Sequence, residues 1–431
     1  MEFDKSLRNS LLERFLRYTR INTTSDKNSR NIPSSPGQLE LAGIIKEELQ
    51  SMGVREIDLD ENGFLIARIP APESGKDKAS IGFMAHLDTS ADVSGENVDP
   101  QVHNNYDGGP ISLNGGTVID PVKDSSLSRY AGSTIITSDG TTLLGADDKA
   151  GAAEIMTAAE HIMKHGGSSA VPVELIFTPD EEIGTGMNSF PYDRFRSVCC
   201  YTLDGGAEGT VEAECFNAYK SKITFTGQVI HLGVARGELV NAVTMAAEFV
   251  RMLPRSESPE ATDGRYGFFC PMEIKGGLGS AEVEVLIRDF SGEGMERRIA
   301  VLDQAARAVE SLYPGGKVQV QTQKQYLNMR KAMDRFPEVL LRLTEAIKRT
   351  GLEPDLRSIR GGTDGARLAE NGIPAPNLFA GGHNFHSVTE WVALPAMERA
   401  VQTVVNLIEL WGANGANRVM PDDTFPVQPP K

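Results

Sequence analysis

Residues 141–182 read TTLLGADDKAGAAEIMTAAEHIMKHGGSSAVPVELIFTPDEE. The first half predicts a helix from about Asp147 to His165, stopped by Gly166-Gly167 because glycine accepts the left-handed torsions that end a helix. The second half contains VELIFTP, a short apolar run of the kind a strand shows when both its faces are buried. Upstream, SIGFMAHL (80–87) is another such run. Strand, helix and strand in that order form the unit of a parallel sheet covered by helices, so an α/β fold follows.

Outward from this unit the same alternation continues. SLLERFLRYTRI (10–21) has helical apolar spacing, and Ser35-Pro36 opens a helix that Gly53 closes. VREIDLD and FLIARIP flank Glu61-Asn62-Gly63, a hairpin signal. Residues 91–133 form a long polar, glycine-rich excursion, either a functional loop or a surface insertion. From Phe216 the pattern changes to strand (KSKITFTGQVIH), helix (NAVTMAAEFVRML), strand (AEVEVLIRDF), helix (GMERRIAVLDQAARAVESLY) and strand (KVQVQTQ). The fold class expected is therefore α/β, a mixed, mostly parallel sheet with helices on both faces, carrying an inserted, smaller α+β lid domain. Residues 1–215 and 326–412 make the larger domain, 216–325 the insertion, and 413–431 a polar, proline-rich tail expected to be loosely ordered.

Composition narrows the function classes. With 43 Lys plus Arg against 59 Asp plus Glu, the formal net charge is −16, a field that repels phosphate backbones and anionic bilayers. No nucleic-acid or membrane partner is expected. The four cysteines include the adjacent pair Cys199-Cys200 but no C-x-x-C, which fits neither a zinc knuckle nor a secreted disulfide framework. No apolar leader and no run long enough to span a bilayer is evident, so a reducing cytoplasm is the expected location.

The chemistry concentrates at strand ends. His86 and Asp88 lie two apart after SIGFMA, so both project to one face. They are either a satisfied core pair or a metal-bound imidazole whose second N–H is held by a carboxylate. Asp147 and Asp148 stand where a glycine-rich turn becomes a helix, and could serve as capping and first-turn acids or as ligands. Asp180, Glu181 and Glu182 follow a buried strand, where adjacent acids raise one another's pKa unless they sit in a solvated loop or around a cation. Asp204 ends another apolar strand, and NLFAGGHNFHS (377–387) adds His383 and His386. Acids at the carboxyl ends of successive strands converge on one crevice of an α/β sheet. His86 and His386 with carboxylates at 147, 182 and 204 make a mixed N/O set suited to zinc, cobalt or manganese. That is more than one tetrahedral ion needs, whereas a pair of ions bridged by one carboxylate uses them all and leaves Glu181 free as a base.

These motifs resemble those of the cocatalytic-zinc exopeptidases, a family that includes tripeptide aminopeptidases, dipeptidases and the carboxypeptidase G type. The likeness runs through MAHLDTS, LLGADDKAG, FTPDEE, DGG, FNA, VNA, IRDF, LNMR, IRGGTDGA and PNLF followed by GGHNFH, nearly the whole chain. It implies a catalytic domain with two divalent metal ions, zinc foremost, with cobalt or manganese as alternatives. His86, Asp147 and Asp204 would hold one ion and Asp147, Glu182 and His386 the other, with Asp147 bridging. Asp88 would orient His86, Glu181 would be the general base taking a proton from a metal-bridged water, and the Asp147-Asp148 peptide would be cis.

The same resemblance implies short peptides as substrates, tripeptides above all, cut after the N-terminal residue. It makes His231 the lid histidine that polarises the substrate carbonyl, although His231 stands in His-Leu-Gly where the family usually has His-Pro-Gly. It also implies substrate binding by Arg360, Arg288 and Asn241. Arg360 precedes Gly361-Gly362, which let a ligand approach closely, and a guanidinium can grip a peptide's terminal carboxylate in bidentate fashion; the alternative is a structural ion pair. His383 stands where relatives commonly carry tyrosine and is expected beside the ligand set. His161 and His165 sit four apart before Gly166-Gly167 and are expected to serve the helix C-terminus. The rival readings are a dipeptidase, carboxypeptidase or N-acyl amino acid deacylase on the same scaffold, or a binding module without catalysis. A homodimer is compatible with all of them.

Overall fold

In the computed structural model the described residues are 4–167 and 169–413; the tail expected over 413–431 lies, past Ala413, outside them. The described chain divides into two compact units. One takes the described residues up to Ala213, Lys331–Arg357 and those from Thr363 on, and the other takes Glu214–Arg330 with Ser358–Gly362. Residues 214–215, 326–330 and 358–362, placed with the larger domain by the sequence reading, thus cluster with the second unit; in 358–362 the Arg360 side chain is tied to residues 262–266.

The first unit is built on an eight-stranded sheet. Its order is Glu56–Leu59, Leu65–Ile69, Val173–Thr178, Ile81–His86, Cys199–Gly205, Asn377–Phe379, Thr210–Cys215 and Asp355–Ile359. The centre is parallel: Ile81–His86 pairs with both Val173–Thr178 and Cys199–Gly205, and Cys199–Gly205 with Asn377–Phe379. Antiparallel pairings lie toward the margins, including the hairpin expected around Glu61-Asn62-Gly63. Every residue of the two strands that flank the central helix in sequence is buried, which is why they read as apolar runs without alternation.

The helix Ala146–Lys164 packs on Ile81–His86 and Cys199–Gly205, and against the helices Lys5–Thr19 and Leu394–Ala413. Gly151 makes the approach to the sheet close, since a Cβ there would meet the Leu203 carbonyl oxygen at 2.1 Å. The start of the helix, with Asp147, is thereby drawn against the strand that carries Asp204. Three residues after Gly151, Glu154 is fully buried with neither carboxylate oxygen hydrogen-bonded among the described residues. Burial holds its pKa well above the ordinary carboxylate value. The folded chain therefore holds this proton more tightly than the unfolded chain, and Glu154 subtracts stability as pH rises from the unfolded pKa toward the folded one. Glu154→Met should raise the melting temperature by about a few degrees, with the larger gain at pH 8 than at pH 4.5. A gain independent of pH, or a loss, in paired thermal melts would contradict this.

The polar excursion is more structured than its composition suggests. It contributes the strand Gln101–His103 to a second sheet with Ile135–Thr137, Trp391–Ala393 and Gly382–His383. Tyr106, Leu127, Tyr130 and Trp391 are buried together beneath it.

The second unit is an antiparallel sheet ordered Phe268–Gly276, Ser280–Asp289, Asn217–Thr226 and Lys317–Tyr326, packed with helices Ala242–Met252 and Gly292–Leu312. Five of these six elements show plain apolar patterns, and the edge strand Phe268–Gly276 is the one the sequence conceals. Its outer residues are exposed and Pro271 interrupts it, so it shows neither alternation nor an apolar run. Among the described residues no helix is long and apolar enough to cross a membrane.

Candidate active site

The parallel centre of the sheet delivers the site. His86 ends its strand, Asp204 is the penultimate residue of Cys199–Gly205, and Glu181-Glu182 follow Val173–Thr178. Asp147 and Asp148 depart from helical torsions at the start of their helix, and the peptide between them is cis, as the resemblance implies. His386 comes from the loop between Gly382–His383 and Trp391–Ala393 with φ 60, a left-handed conformation.

These side chains meet around Asp147. Its Oδ1 lies 2.8 Å from His86 Nε2 and its Oδ2 lies 3.4 Å from His386 Nε2. Asp204 Oδ1 is 3.6 Å from His86 Nε2, and Glu182 Oε1 is 3.1 Å from His386 Nε2. Two donor sets, His86 with Asp204 and His386 with Glu182, thus face opposite oxygens of one carboxylate. Asp148 also falls within reach of His86 and Asp204. Its oxygens, however, accept from the His86 N–H at 3.2 Å and the Gly151 N–H at 3.1 Å, so it holds backbone in place.

Asp88 does more than orient His86. The nearest atom to His86 Nδ1 is the Asp88 backbone oxygen at 3.0 Å, with the carboxylate at 3.4 Å. The fully buried carboxylate accepts instead from the N–H groups of Glu181 (2.9 Å) and Glu182 (3.1 Å). One side chain therefore links the His86 strand to the turn carrying both glutamates. Asp180 secures the other flank, accepting from the Ser34 N–H (2.8 Å) and Gln38 Nε2 (2.8 Å).

The electrostatics are those of an acid cluster built to receive cations. Burial, then repulsion from Asp204, Asp364 and Glu182, pushes Glu181 well above the ordinary carboxylate value. Burial likewise raises Asp204, and pushes Glu182 up to about 7. Burial would raise Asp147 too, but the imidazoles of His386 and His86 outweigh it and hold Asp147 below the usual range. Asp147 and Glu182 in turn push His386 up to about 11. Glu182 Oε1 is buried, and the His386 ring 3.1 Å away makes no well-aligned hydrogen bond to it. A buried, undonated carboxylate oxygen in a split set of imidazole and carboxylate donors fits a pair of divalent ions, which would relieve this repulsion.

Three contributors are assigned no role by the sequence. Asp92, in the excursion, places Oδ2 3.0 Å from His386 Nδ1 and so orients that ring. Thr363 Oγ1 donates to Asp204 at 3.2 Å, and Asp364 accepts from the Thr178 hydroxyl at 2.6 Å. His383 stays out of the donor set: its ring stacks on Trp391 at 4.0 Å and 8°, and burial lowers its pKa to about 4. His165 Nδ1 meets the His161 carbonyl at 2.8 Å, in keeping with a helix-terminal role.

The remaining expected residues all belong to the second unit. His231 is exposed, its Nδ1 accepting from the Gly233 N–H at 3.1 Å. Asn241 Oδ1 caps helix Ala242–Met252, accepting from Val243 and Thr244. Arg360 is committed: its two terminal nitrogens donate to the carbonyls of Gly264 (2.9 Å), Tyr266 (2.9 Å) and Thr262 (3.2 Å) and to Thr262 Oγ1 (3.0 Å). Arg288 spends one terminal nitrogen on the carbonyls of Tyr219 and Ile287, and its other has no acceptor among the described residues.

A parallel-centred α/β sheet with a paired N/O donor set at its strand ends and an unshared glutamate beside it defines a metal-dependent hydrolase. The chain belongs to peptidase family M20/M25/M40, whose model matches residues 137–410. It is 41% identical over 407 residues to a peptidase T of Bacillus velezensis, covering 94% of this chain and 99% of that one. The fold is similar to that of aminopeptidase PepT from Bacillus cereus, with TM-score 0.73 and 22% identity over 94% of this chain and 98% of that one. It is similar as well to a tripeptidase from Staphylococcus aureus, with TM-score 0.73 and 20% identity at the same coverages.

Proposed function

We propose that this peptidase removes the N-terminal residue from short peptides, tripeptides foremost, with the first unit as its catalytic domain and the second as a lid that binds substrate. The observation that carries this reading is Glu181, a half-buried carboxylate whose N–H is pinned by Asp88 and which belongs to neither donor set. A site that only stored metal would have no use for such an acid. His86, Asp147 and Asp204 would hold one divalent ion and Asp147, Glu182 and His386 a second, with zinc the metal proposed. Such a pair, when bound, supplies Lewis acidity to the scissile carbonyl and lowers the pKa of the attacking water. Glu181 takes the proton from that water and returns it to the leaving amine. His231 polarises the scissile carbonyl. The relatives named peptidase T, matched along nearly their whole length, favour this over the dipeptidase, carboxypeptidase and deacylase readings. Among the described residues no cysteine is joined in a disulfide, in keeping with a cytoplasmic enzyme.

Product analysis of the metal-loaded protein with free, N-acetylated and C-amidated tripeptides tests this. A free amino acid from the N-terminus plus a dipeptide is expected, with the acetylated peptide resistant. Release of the C-terminal residue, or of acetate, would replace the reading with a carboxypeptidase or a deacylase.

The commitment of Arg360 to backbone carbonyls moves carboxylate recognition to Arg288. A charge-assisted hydrogen bond contributes roughly 1.5 to 3 kcal/mol, so amidating the tripeptide should cost about 10- to 150-fold in kcat/KM at about 1.4 kcal/mol per decade. That penalty should all but vanish in Arg288→Ala and persist in Arg360→Ala. The opposite pattern would return the role to Arg360.

A further inference from the structure

Glu390 is 1% exposed and stands immediately before the strand Trp391–Ala393, four residues past His386. Its carboxylate receives three backbone N–H groups from one turn. Oε2 accepts from Leu144 and Gly145, each at 2.8 Å, and Oε1 accepts from Asp147 at 3.1 Å. This turn needs an outside acceptor. Gly145 is in the left-handed region with no side-chain cap to offer, and Asp147 and Asp148 leave helical torsions, so the first N–H groups of the helix find no partner within it. The residue that meets the need is an acid, in a place where it cannot reach solvent. It touches the backbone of Asp147 and is joined by a short loop to His386, the two residues that face each other across 3.4 Å.

We propose that Glu390 is a positioning residue for the metal centre: by clamping the 144–147 turn from the strand that follows His386, it fixes the Asp147 carboxylate between the two imidazoles. It thereby sets the affinity for any ion Asp147 shares. Glu390 is not itself a ligand on this geometry: its oxygens are directed at the 144–147 N–H groups, and among the described residues it belongs to no cluster of metal donors. The inference rests on the reading of Asp147 as a ligand.

Glu390→Gln keeps the side chain's shape but turns an amide donor toward at least one of those N–H groups. A control must lose a comparable buried anchor away from the centre. Glu174 supplies one: it is 1% exposed, and its Oε2 accepts from the N–H groups of Arg196 (2.9 Å) and Ser197 (2.8 Å), near the start of the strand whose far end leads to Glu181. Metal-free wild type, Glu390→Gln and Glu174→Gln would be titrated with zinc against a chromophoric chelator, and their cobalt-loaded visible spectra and thermal melts recorded. Glu390→Gln should weaken the ions shared by Asp147 by about 10- to 100-fold and alter the cobalt spectrum. Glu174→Gln should titrate like wild type even where its melting temperature falls as far. Wild-type titration and an unchanged spectrum in Glu390→Gln would overturn the proposal, as would equal weakening in Glu174→Gln, which would mark a general softening of the fold. If wild type takes up a single ion and Glu390→Gln weakens it, the two-ion reading fails while the role of Glu390 stands.

Discussion

Replacing Glu181 by glutamine is expected to lower kcat by about 10²- to 10⁴-fold, the range general acid–base groups contribute, while KM and metal content stay near their wild-type values. The amide preserves volume and leaves the backbone N–H bonded to Asp88, so the turn keeps its shape. What it loses is the ability to accept the water's proton and deliver it to the leaving amine. Metal analysis separates this from the alternative. Loss of an ion on the substitution would make Glu181 a ligand and leave the base unassigned.

The second large effect is expected at Asp147. Its two oxygens face His86 and His386 separately, so it is the one side chain on which both donor sets depend. Asp147→Asn removes the negative charge and offers an amide nitrogen to one imidazole in place of an oxygen. Bound metal should fall to one ion or fewer per chain. Activity should drop by about 10³-fold or more, since the several kcal/mol of charge stabilisation that metals supply corresponds to that factor at about 1.4 kcal/mol per decade. A variant that still binds two ions and retains more than about a tenth of wild-type activity would show that Asp147 is not shared.

How much of this is written legibly in the sequence depends on what carries each feature. The parallel sheet is legible because strands buried on both faces, such as Ile81–His86 and Val173–Thr178, must be apolar throughout. Four of the five donor residues are legible because they end or follow such a strand or open the helix after it, where an acid or imidazole conflicts with the apolar run beside it; His386, in a loop, is legible through its spacing after Gly381-Gly382. The residues that hold the donors in place are not. Asp92 sits in an ordinary polar loop, Glu390 looks like a solvated residue ahead of a short strand, and Thr363 resembles a helix cap, which it also is. Their roles come from long-range partners that no local pattern records. Arg360 is the reverse case. Its glycine neighbours suggest open access to a ligand, but the guanidinium is spent on carbonyls nearly a hundred residues away in sequence. Asp88 lies between these cases: the His-x-Asp spacing identifies it, and only the structure shows its carboxylate gripping the Glu181-Glu182 turn.

The most direct measurement is anomalous diffraction from crystals of the zinc-loaded protein, collected on both sides of the zinc edge. The account predicts two anomalous peaks flanking the Asp147 carboxylate, one within bonding distance of His86 and Asp204 and the other of Glu182 and His386, with Glu181 coordinated to neither. A single peak, or a peak bonded to Glu181, would contradict it.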